Sequence, residues 1–274
     1  MTGMSAIDGN SLAGVSATTL WTLHNRASEP KRSDGVIRDP WAVTLFDTIP
    51  YDYLEFGKPN QSHGLRAVAF DAAARDYLAT HPKAAVVALA EGLQTSFWRL
   101  DRAGVLGESR WYSIDLPPVM DLRRRLLPRD RRIVELAQSA LDTSWMDRVD
   151  STHGAFITAE GLLMYLDPDD AIGLIRECAA RFPGGQMMFD SIPRWFSRRT
   201  LKGFKLSDRY VAPPMPFGQS ADEALELAGR IPGVAAARDV AYPSGRGLFK
   251  AWPVLDHVGP LRRARPSITL LEFR

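Results

Sequence analysis

Four short apolar segments, separated by helical patterns, constrain the fold of this chain more than any other feature. Each of them runs into a turn that carries an acidic residue or a glycine. They are AVVALAEGL at 85–93, WYSIDLP at 111–117, QSALD at 138–142 and FITAEGLLMYL at 156–166. Strands that alternate with helices form a parallel sheet with right-handed crossovers, so the turns after successive strands open on one edge. We therefore expect Asp115, Asp142 and Glu160 to meet at that edge.

Helical patterns fill the first part of the chain. Apolar spacing predicts helices over residues 16–28 and 62–81, and a further helix that begins at Pro40 with Asp39 as its N-cap. These helices precede the sheet, so we expect them to form a cover over it.

The strands and loops that follow complete the predicted domain. RRIVELAQSALD predicts a strand that ends at Asp142, and further strands are predicted at QMMFDSIP, VAAARDVAY and SITLLEFR. Residues 193–220 are rich in aromatic residues and prolines, and a long irregular segment inside a compact domain is typical of a lid. We predict an α/β fold with a flexible N-terminus at 1–14 and a single domain at 15–274, which includes a cover at 15–82 and a lid or substrate loop at 193–220.

Composition narrows the class of protein. The net charge of +2 does not indicate a polyanionic partner, and the five histidines are too scattered to predict a metal site. Cys178 is the single cysteine, which is typical of a reducing compartment. No apolar run reaches the roughly 18 residues of a membrane helix, and the N-terminus lacks the pattern of a signal peptide. We expect a cytoplasmic protein that binds neither membrane nor nucleic acid.

The turns predict a nucleoside-binding site. Asp115 follows the first turn by about 25 residues, close to the spacing at which a carboxylate accepts hydrogen bonds from ribose hydroxyls. Asp142 can accept from an adenine amino group, or it can merely cap the next turn. The first turn, AEGLQTS, offers only Gly92 where a dinucleotide fold has three glycines, which disfavours NAD and FAD. S-adenosylmethionine, which has no phosphate, fits this turn better.

These motifs, taken in order, resemble the leucine carboxyl methyltransferase family. They are ALAEGLQTSFWRL, WYSIDLPPVMDLRRRLLP, SALD and AEGLLMYL, and the resemblance covers roughly residues 15–200. It is strongest to the bacterial branch that includes tetracenomycin-type polyketide O-methyltransferases. The resemblance implies S-adenosylmethionine as cofactor and a Rossmann-like sheet of seven mostly parallel strands, with helices on both faces and the last strand antiparallel. It also implies methyl transfer to oxygen, often that of a carboxylate.

The resemblance assigns cofactor contacts by position. Arg66 is placed like the arginine that pairs with the methionine carboxylate, Asp115 like the ribose-binding acid, and Leu141 with Asp142 like the adenine-contacting pair. The cofactor-binding residues expected in full are Arg66, Ala90, Glu91, Gly92, Asp115, Leu116, Leu141, Asp142, Glu160 and Gly161. Two departures stand in the first turn, where Ala90 replaces a glycine and Gln94 with Ser96 replaces the family's Asp and Arg.

The acceptor decides which residues would be catalytic. A carboxylate is already ionised and needs only desolvation and alignment with the methyl group. A phenol or alcohol would need a base, for which His24 and His63 are the candidates, and Tyr165 would orient the substrate or simply pack. We expect a small-molecule or peptide acceptor and a monomer or homodimer.

Two other functions stay open at this point. Ala90 and the altered turn are compatible with a methyltransferase fold that has lost methyl transfer and performs another reaction or binds a ligand. The arginine run at 123–132 is compatible with an RNA methyltransferase, although a solvated helix face explains the run more simply.

Overall fold

The computed structural model describes residues 7–251 and 259–274, and seven of their strands form one sheet. The strands are β1 Ala85–Leu89, β2 Trp111–Asp115, β3 Ile133–Ala137, β4 Ala155–Ala159, β5 Gln186–Ser191, β6 Val234–Val240 and β7 Ser267–Phe273. Their order in the sheet is β3-β2-β1-β4-β5-β7-β6. The first five strands pair in parallel, whereas β7 is antiparallel to both β5 and β6. The predicted α/β fold with an antiparallel last strand is confirmed.

Ten α-helices lie within the described residues. They are α1 Thr18–Ser28, α2 Pro40–Thr48, α3 Ser62–Thr80, α4 Ser96–Arg102, α5 Pro117–Leu126, α6 Pro168–Arg181, α7 Arg194–Thr200, α8 Ala221–Leu225, α9 Leu227–Arg230 and α10 Gly259–Ala264. The predicted cover corresponds to α1, α2 and α3. Asp39 caps α2 as expected, because its Oδ1 accepts from the Ala42 N–H at 2.9 Å and Pro40 takes the first helical position.

The central strands are buried on both faces, which explains why they read as continuous apolar runs rather than alternating ones. Every residue of β1 is buried. Val87 packs on the side of the sheet that contacts α6, whereas Val86 packs on the opposite side with side chains of α3 and α4. The side chains of one strand alternate between faces, so β1 contributes to two cores.

The predicted third strand was too long. β3 ends at Ala137, and the following residues turn into a 3-10 helix at Thr143–Arg148. Trp145 holds this turn, since its Nε1 donates to the Ala140 carbonyl at 3.0 Å and its ring is fully buried. β4, in contrast, ends at Ala159, directly before Glu160 as expected, and Leu163–Tyr165 forms a 3-10 turn.

The two peripheral segments predicted from sequence both contain described residues with defined structure. Of the predicted flexible N-terminus, residues 1–6 lie outside the described residues, whereas Leu12 is buried in the core beneath the cover. The predicted lid at 193–220 begins with α7 and continues as irregular chain to Ser220, which caps α8. No helix within 7–251 or 259–274 combines the length and apolarity that a bilayer-spanning segment requires.

Candidate active site

A cavity of about 470 Å³ opens at the carboxyl ends of β1, β2 and β4, between the sheet, the cover and the lid segment. Ligands of open α/β sheets bind at this edge, near the point where the strand order reverses. All but two of the residues predicted to form the site line this cavity. Those that do are His63, Arg66, Ala90, Glu91, Gly92, Asp115, Leu116, Leu141, Glu160, Gly161 and Tyr165.

The turn after β1 has a left-handed backbone at two positions. Gly92 has a φ of 60° and donates its N–H to Asp115 Oδ2 at 2.6 Å. A Cβ on Gly92 would lie 2.5 Å from Thr19 Oγ1, and that oxygen accepts from the Leu93 N–H at 2.7 Å. Helix α1 therefore packs directly on the turn, and only glycine fits at position 92.

Ala90 occupies the other left-handed position, with a φ of 48°. Among the described residues it is the one non-glycine residue with a positive φ. A side chain in this region costs roughly 1–2 kcal/mol because Cβ crowds the following carbonyl. The glycine that the family has here would adopt this conformation without that cost.

Asp115 is held by the backbone at the rim of the cavity. Its Oδ1 accepts from the Leu116 N–H at 2.7 Å, in addition to the bond from Gly92. Burial raises the pKa of this carboxyl, while the two N–H groups act in the opposite direction. Both oxygens are oriented before any ligand arrives, as a receptor for vicinal hydroxyls requires.

Arg123, on α5, holds the turn after β1 in place through three contacts. The sequence did not predict this role. Its Nη1 donates to the carbonyls of Gly92 and Gln94 at 2.7 and 2.8 Å, and its Nη2 pairs with Glu91 at 2.8 Å. The side chain is only 1% exposed. The interpretation of the arginine run as a solvated face is therefore wrong for Arg123, which lies on the inner side of α5 next to Leu122.

Other members of the run pair with acids at or near the surface. Arg124 pairs with Glu135, Arg125 with Asp121, and Arg132 with Asp101 and Asp130. These pairs agree with the interpretation of residues 124–132 as a solvated helix face and turn.

Arg66 lies between two carboxylates on the opposite wall. Its Nε donates to Glu160 at 2.9 Å and its Nη1 to Asp190 at 2.7 Å, and Gln94 also donates to Glu160, at 2.6 Å. Burial raises the pKa of Glu160, and the neighbouring Arg66 opposes that shift. Asp190 was not predicted, and it also accepts from the Gly161 N–H at 2.6 Å. With two acids against one guanidinium, this wall is suited to a cation as much as to a carboxylate.

Gly161 allows Arg66 to take this position. A Cβ at residue 161 would approach Arg66 Nη2 to 3.2 Å, and the glycine has a φ of 70°. Any other residue here would be strained and would displace the guanidinium.

Of the residues predicted to contact adenine, Leu141 lines the cavity but Asp142 does not. Leu116 and Leu141 are 43% and 40% exposed, and they are the apolar surface available at this end of the cavity. Asp142 instead caps the following 3-10 helix, with Oδ1 accepting from the Ser144 N–H at 3.2 Å. From the sequence, Asp142 could either contact adenine or cap the next turn, and in the structure it caps. The reason is that β3 ends five residues earlier than expected.

The two histidines predicted as bases have different surroundings. His24 lies outside the cavity, in the aromatic cluster of the cover, where its ring stacks on Phe46 and Tyr53 and its Nε2 lies 3.2 Å from the Gly57 carbonyl. Burial lowers its pKa. The expectation that His24 reaches substrate is therefore corrected. His63, in contrast, lines the cavity with Tyr165, and burial raises the pKa of the Tyr165 phenol.

The lid segment contributes two apolar side chains to the cavity, Phe196 and Met215. Trp195 is half exposed and its Nε1 donates to the Ala264 carbonyl, so it braces the lid from outside. Other aromatic residues of the segment pack elsewhere, Tyr210 against Phe56 and Phe217 in the main core.

A buried network of charges joins the cover to the same turn. Asp39 Oδ2 accepts from Arg26, Thr95 and Arg99 at 2.9, 2.5 and 2.6 Å, and Arg26 also donates to the Leu93 carbonyl at 2.5 Å. Arg99 continues the network to Asp71 on α3.

Within the described residues, no group of three or more histidines, cysteines or acids is arranged to hold a metal ion.

Sequence comparison places this site in a known family. A family model for leucine carboxyl methyltransferases matches residues 19–179, more than half of the chain and most of the cavity wall. The chain belongs to this family.

A named relative supports the leucine carboxyl methyltransferase assignment, and two solved structures share the fold. The chain is 31% identical over 262 residues to the tetracenomycin polyketide synthesis O-methyltransferase TcmP of Streptomyces glaucescens, and covers 94% of each sequence. It shares the fold of a candidate methyltransferase from Thermobifida fusca, with a TM-score of 0.53, 18% identity and coverage of 85% and 88%. A DUF574 family protein from Streptomyces avermitilis has a TM-score of 0.55, 16% identity and coverage of 77% and 84%.

Membership in the leucine carboxyl methyltransferase family makes the chain an S-adenosylmethionine-dependent O-methyltransferase. Two residues of the turn after β1, Gln94 and Ser96, differ from those usual in the family. Both make hydrogen bonds that hold the turn in place. Gln94 bonds to Glu160, and Ser96 accepts from Arg99 Nη2 at 2.8 Å. The turn thus retains a buried guanidinium, supplied by Arg99 one helical turn later instead of by residue 96.

Proposed function

We propose that the cavity binds S-adenosylmethionine and transfers its methyl group to a carboxylate of a flat, apolar small molecule. The single observation that carries the proposal is that every carboxylate brought to the cavity wall by residues 7–251 and 259–274 already has a hydrogen-bond or ion-pair partner. Glu91 pairs with Arg123, Asp115 accepts two backbone N–H groups, and Glu160 and Asp190 flank Arg66. Because these four acids already have partners, none of them is free to act as the base that a hydroxyl acceptor would need. A carboxylate acceptor needs no base.

The cavity wall offers a candidate partner for each part of the cofactor. Asp115 would accept the ribose hydroxyls, and Leu116 and Leu141 would cover the adenine ring. Glu160 and Asp190 would attract the amino group and the sulfonium, since they outnumber Arg66 as charges. Arg66 Nη2, beside Gly161, is the group available to the methionine carboxylate.

The acceptor would occupy the part of the cavity between α1, the 3-10 turn after β4 and the lid. Trp21, Tyr165, Phe196 and Met215 provide flat or flexible apolar surface there. These side chains would desolvate the acceptor carboxylate and exclude water, which raises its nucleophilicity toward the methyl group. When bound, S-adenosylmethionine would supply a methyl group on a cationic sulfur, so the carboxylate oxygen would bond to the methyl carbon as the carbon–sulfur bond breaks and that bond's electron pair would remain on sulfur. No proton moves in this step.

The family and the relative also support proposals about the setting. We propose a small-molecule acceptor because the relative is named for polyketide synthesis and because the surface arginines of the run are paired with acids. A cytoplasmic location, and a monomer or homodimer, are proposed from the sequence alone.

A paired-acceptor assay tests the proposed reaction. The protein is incubated with methyl-labelled S-adenosylmethionine and either 2-naphthoic acid or 2-naphthol, which share a ring system and differ in the acceptor group. We expect labelled product from the acid, and mild alkali should release its label as methanol because the product is an ester. An alkali-stable product from the phenol, with none from the acid, would show that the acceptor is a hydroxyl. Isothermal titration with S-adenosylhomocysteine establishes separately that the cofactor binds.

A further inference from the structure

His63 is a histidine of the cavity wall whose protonation is dictated by a neighbour. It lies on α3, its ring meets that of Trp21 edge to face at 5.0 Å, and its Nδ1 lies 2.8 Å from Asn25 Nδ2. Asn25 is on α1 and is 1% exposed. The contact between them therefore lies behind the cavity wall, away from solvent.

The orientation of the Asn25 amide is determined by its other end. Asn25 Oδ1 accepts from the backbone N–H of Asn60 at 2.7 Å. If the amide were rotated by half a turn, its NH₂ group would face that N–H, and two donors would oppose each other at hydrogen-bond distance. The oxygen must therefore face Asn60, so the NH₂ group must face His63.

This orientation assigns the tautomer of His63. An amide nitrogen donates hydrogen bonds but does not accept them, so His63 Nδ1 must be the acceptor and carry no proton. The neutral ring then carries its proton on Nε2. Burial lowers the pKa of His63 well below its ordinary value, and the positive charges of Arg66 and Arg26 act in the same direction, so the ring is neutral at pH 7.

A neutral histidine in this tautomer cannot serve as the base through either nitrogen. Nδ1 is blocked by the amide of Asn25, and Nε2 already holds its proton. Within the described residues Nε2 has no hydrogen-bond partner, and His63 lines the cavity. It is therefore an N–H donor available to a ligand oxygen.

We propose that His63 Nε2–H donates a hydrogen bond to the acceptor oxygen that is not methylated, and so selects substrates that arrive already ionised. The inference rests on the proposed function, because it assumes that an acceptor occupies the cavity beside the cofactor. A carboxylate uses one oxygen to attack the methyl carbon and the other to accept from Nε2–H. A neutral hydroxyl would have to release a proton, and His63 cannot take it. Asn25 is the positioning residue that makes His63 a donor.

Exchanging the amide of Asn25 for a carboxylate tests this assignment. In Asn25→Asp, one oxygen still accepts from Asn60, while the other now accepts from His63 Nδ1–H, which moves the ring proton and leaves Nε2 unprotonated. Nitrogen-15 NMR of the imidazole reports the tautomer without any substrate. We expect Nε2–H in the wild type and Nδ1–H, with a raised histidine pKa, in the variant. Finding Nδ1–H in the wild-type protein would overturn the proposal.

Kinetics with the paired acceptors supply the second readout. For 2-naphthoic acid, His63→Leu should lower kcat/KM by about 10- to 100-fold, as expected for a lost hydrogen bond to a charged oxygen. His63→Gln should recover much of this, because its amide N–H reaches the region of Nε2. Asn25→Asp should lower kcat/KM for the acid and raise it for 2-naphthol, since Nε2 can now accept a proton.

His24→Gln is the matched control, a histidine of the cover that lies outside the cavity, and it should leave kcat/KM for the acid unchanged. An equal loss in His24→Gln and His63→Leu would overturn the proposal, because the effect would then be structural. S-adenosylhomocysteine titration of each variant separates this inference from the proposed function. If the wild type bound no cofactor, the proposed function would fail while the NMR result would still decide the tautomer.

Discussion

Asp115 is the residue on which cofactor affinity should depend most, because two backbone N–H groups hold its carboxylate at the cavity rim. We expect Asp115→Ala to raise the Kd for S-adenosylhomocysteine by about 10- to 100-fold, through lost bonds to the ribose and a loosened turn at Gly92. Asp142→Ala provides the control, since Asp142 caps a helix outside the cavity and should change the Kd by less than about threefold. Isothermal titration measures both. Equal losses in the two variants would instead favour the adenine contact suggested by the sequence.

Ala90 gives a prediction about stability at the same scale. Ala90→Gly removes a left-handed alanine at φ 48°. Relief of the strain, about 1–2 kcal/mol, should exceed the cost of a more flexible unfolded chain, about 0.4–1 kcal/mol. We expect the free energy of unfolding to rise by about 0.5–1 kcal/mol in urea denaturation. Ala88→Gly, two residues earlier in the extended strand β1, should lower it. A decrease for Ala90→Gly would mean that the backbone conformation at this turn is not strained.

Individual side chains were predictable only where a motif fixed their position. Asp115, Gly92 and Glu160 lie at or just after strand ends, so their location follows from topology. Arg123 and Asp190 were missed because their roles depend on which side of α5 faces the turn, and on an arginine that arrives from α3. His63 could be placed near the site, but its tautomer depends on Asn25 and Asn60, whose contacts join separate parts of the cover.

At the scale of elements, the cover is held to the sheet by buried charges as well as by apolar packing. Asp39 receives donors from α1 and α4 while it caps α2, so one carboxylate links three helices. Removing one partner of a buried ion pair typically costs 3–5 kcal/mol because the other charge is left without compensation. The sequence predicted the cap at Asp39, but it could not reveal that Arg26 and Arg99 converge on the same carboxylate.

This network predicts how stability depends on acid pH. Burial alone would raise the pKa of Asp39, but Arg99 and Arg26 outweigh it and lower the pKa from 3.8 to about 2. The carboxylate stabilises the fold at pH values above the unfolded pKa, and this contribution, about 2 kcal/mol, is lost as the pH falls from about 4 to about 2. Thermal unfolding across that range should show a falling Tm. In Asp39→Asn the Tm should start lower and fall less steeply.

Asp130, whose pKa Arg132 also lowers to about 2, titrates in the same window in both proteins. Parallel slopes for the two proteins would show that Asp39 has no part in the acid dependence.

Element boundaries were the least predictable feature at this scale. Apolar pattern alone extended β3 to Asp142, because Ala140 and Leu141 continue the run of small and apolar residues. The strand ends at Ala137 because the following backbone turns to bring its carbonyl groups to Trp145 and Gln138. These contacts are made by side chains within the turn, and the apolar pattern contains no signal for them.

For the whole molecule, cofactor binding should appear as thermal stabilisation. S-adenosylhomocysteine at a hundred times its Kd should stabilise the fold by about 2.7 kcal/mol, which corresponds to a Tm increase of about 5–11 °C. NAD at the same concentration should have no effect, since the turn after β1 has a single glycine at residue 92 and lacks the three-glycine cradle for a pyrophosphate. Differential scanning fluorimetry compares the two ligands. Equal shifts would show that the cavity accepts phosphates.

The topology of the whole molecule was the most predictable feature. Alternating apolar runs and helical patterns determine a parallel sheet, and the handedness of crossovers then determines which edge carries the turns. The cavity itself was not predictable, because its walls come from the cover and the lid as well as from the sheet.

Helix α1 contributes to both halves of this cavity. Thr19 contacts the turn that would hold the cofactor, while Trp21 and Asn25, within two further helical turns, surround and orient His63. A substitution on α1 that admits a differently shaped acceptor would therefore also disturb the methyl donor. The lid would not be shared in this way, since Phe196 and Met215 would contact the acceptor at the proposed acceptor end of the cavity. Diversification of acceptor choice among such enzymes should thus accumulate in the lid and spare α1.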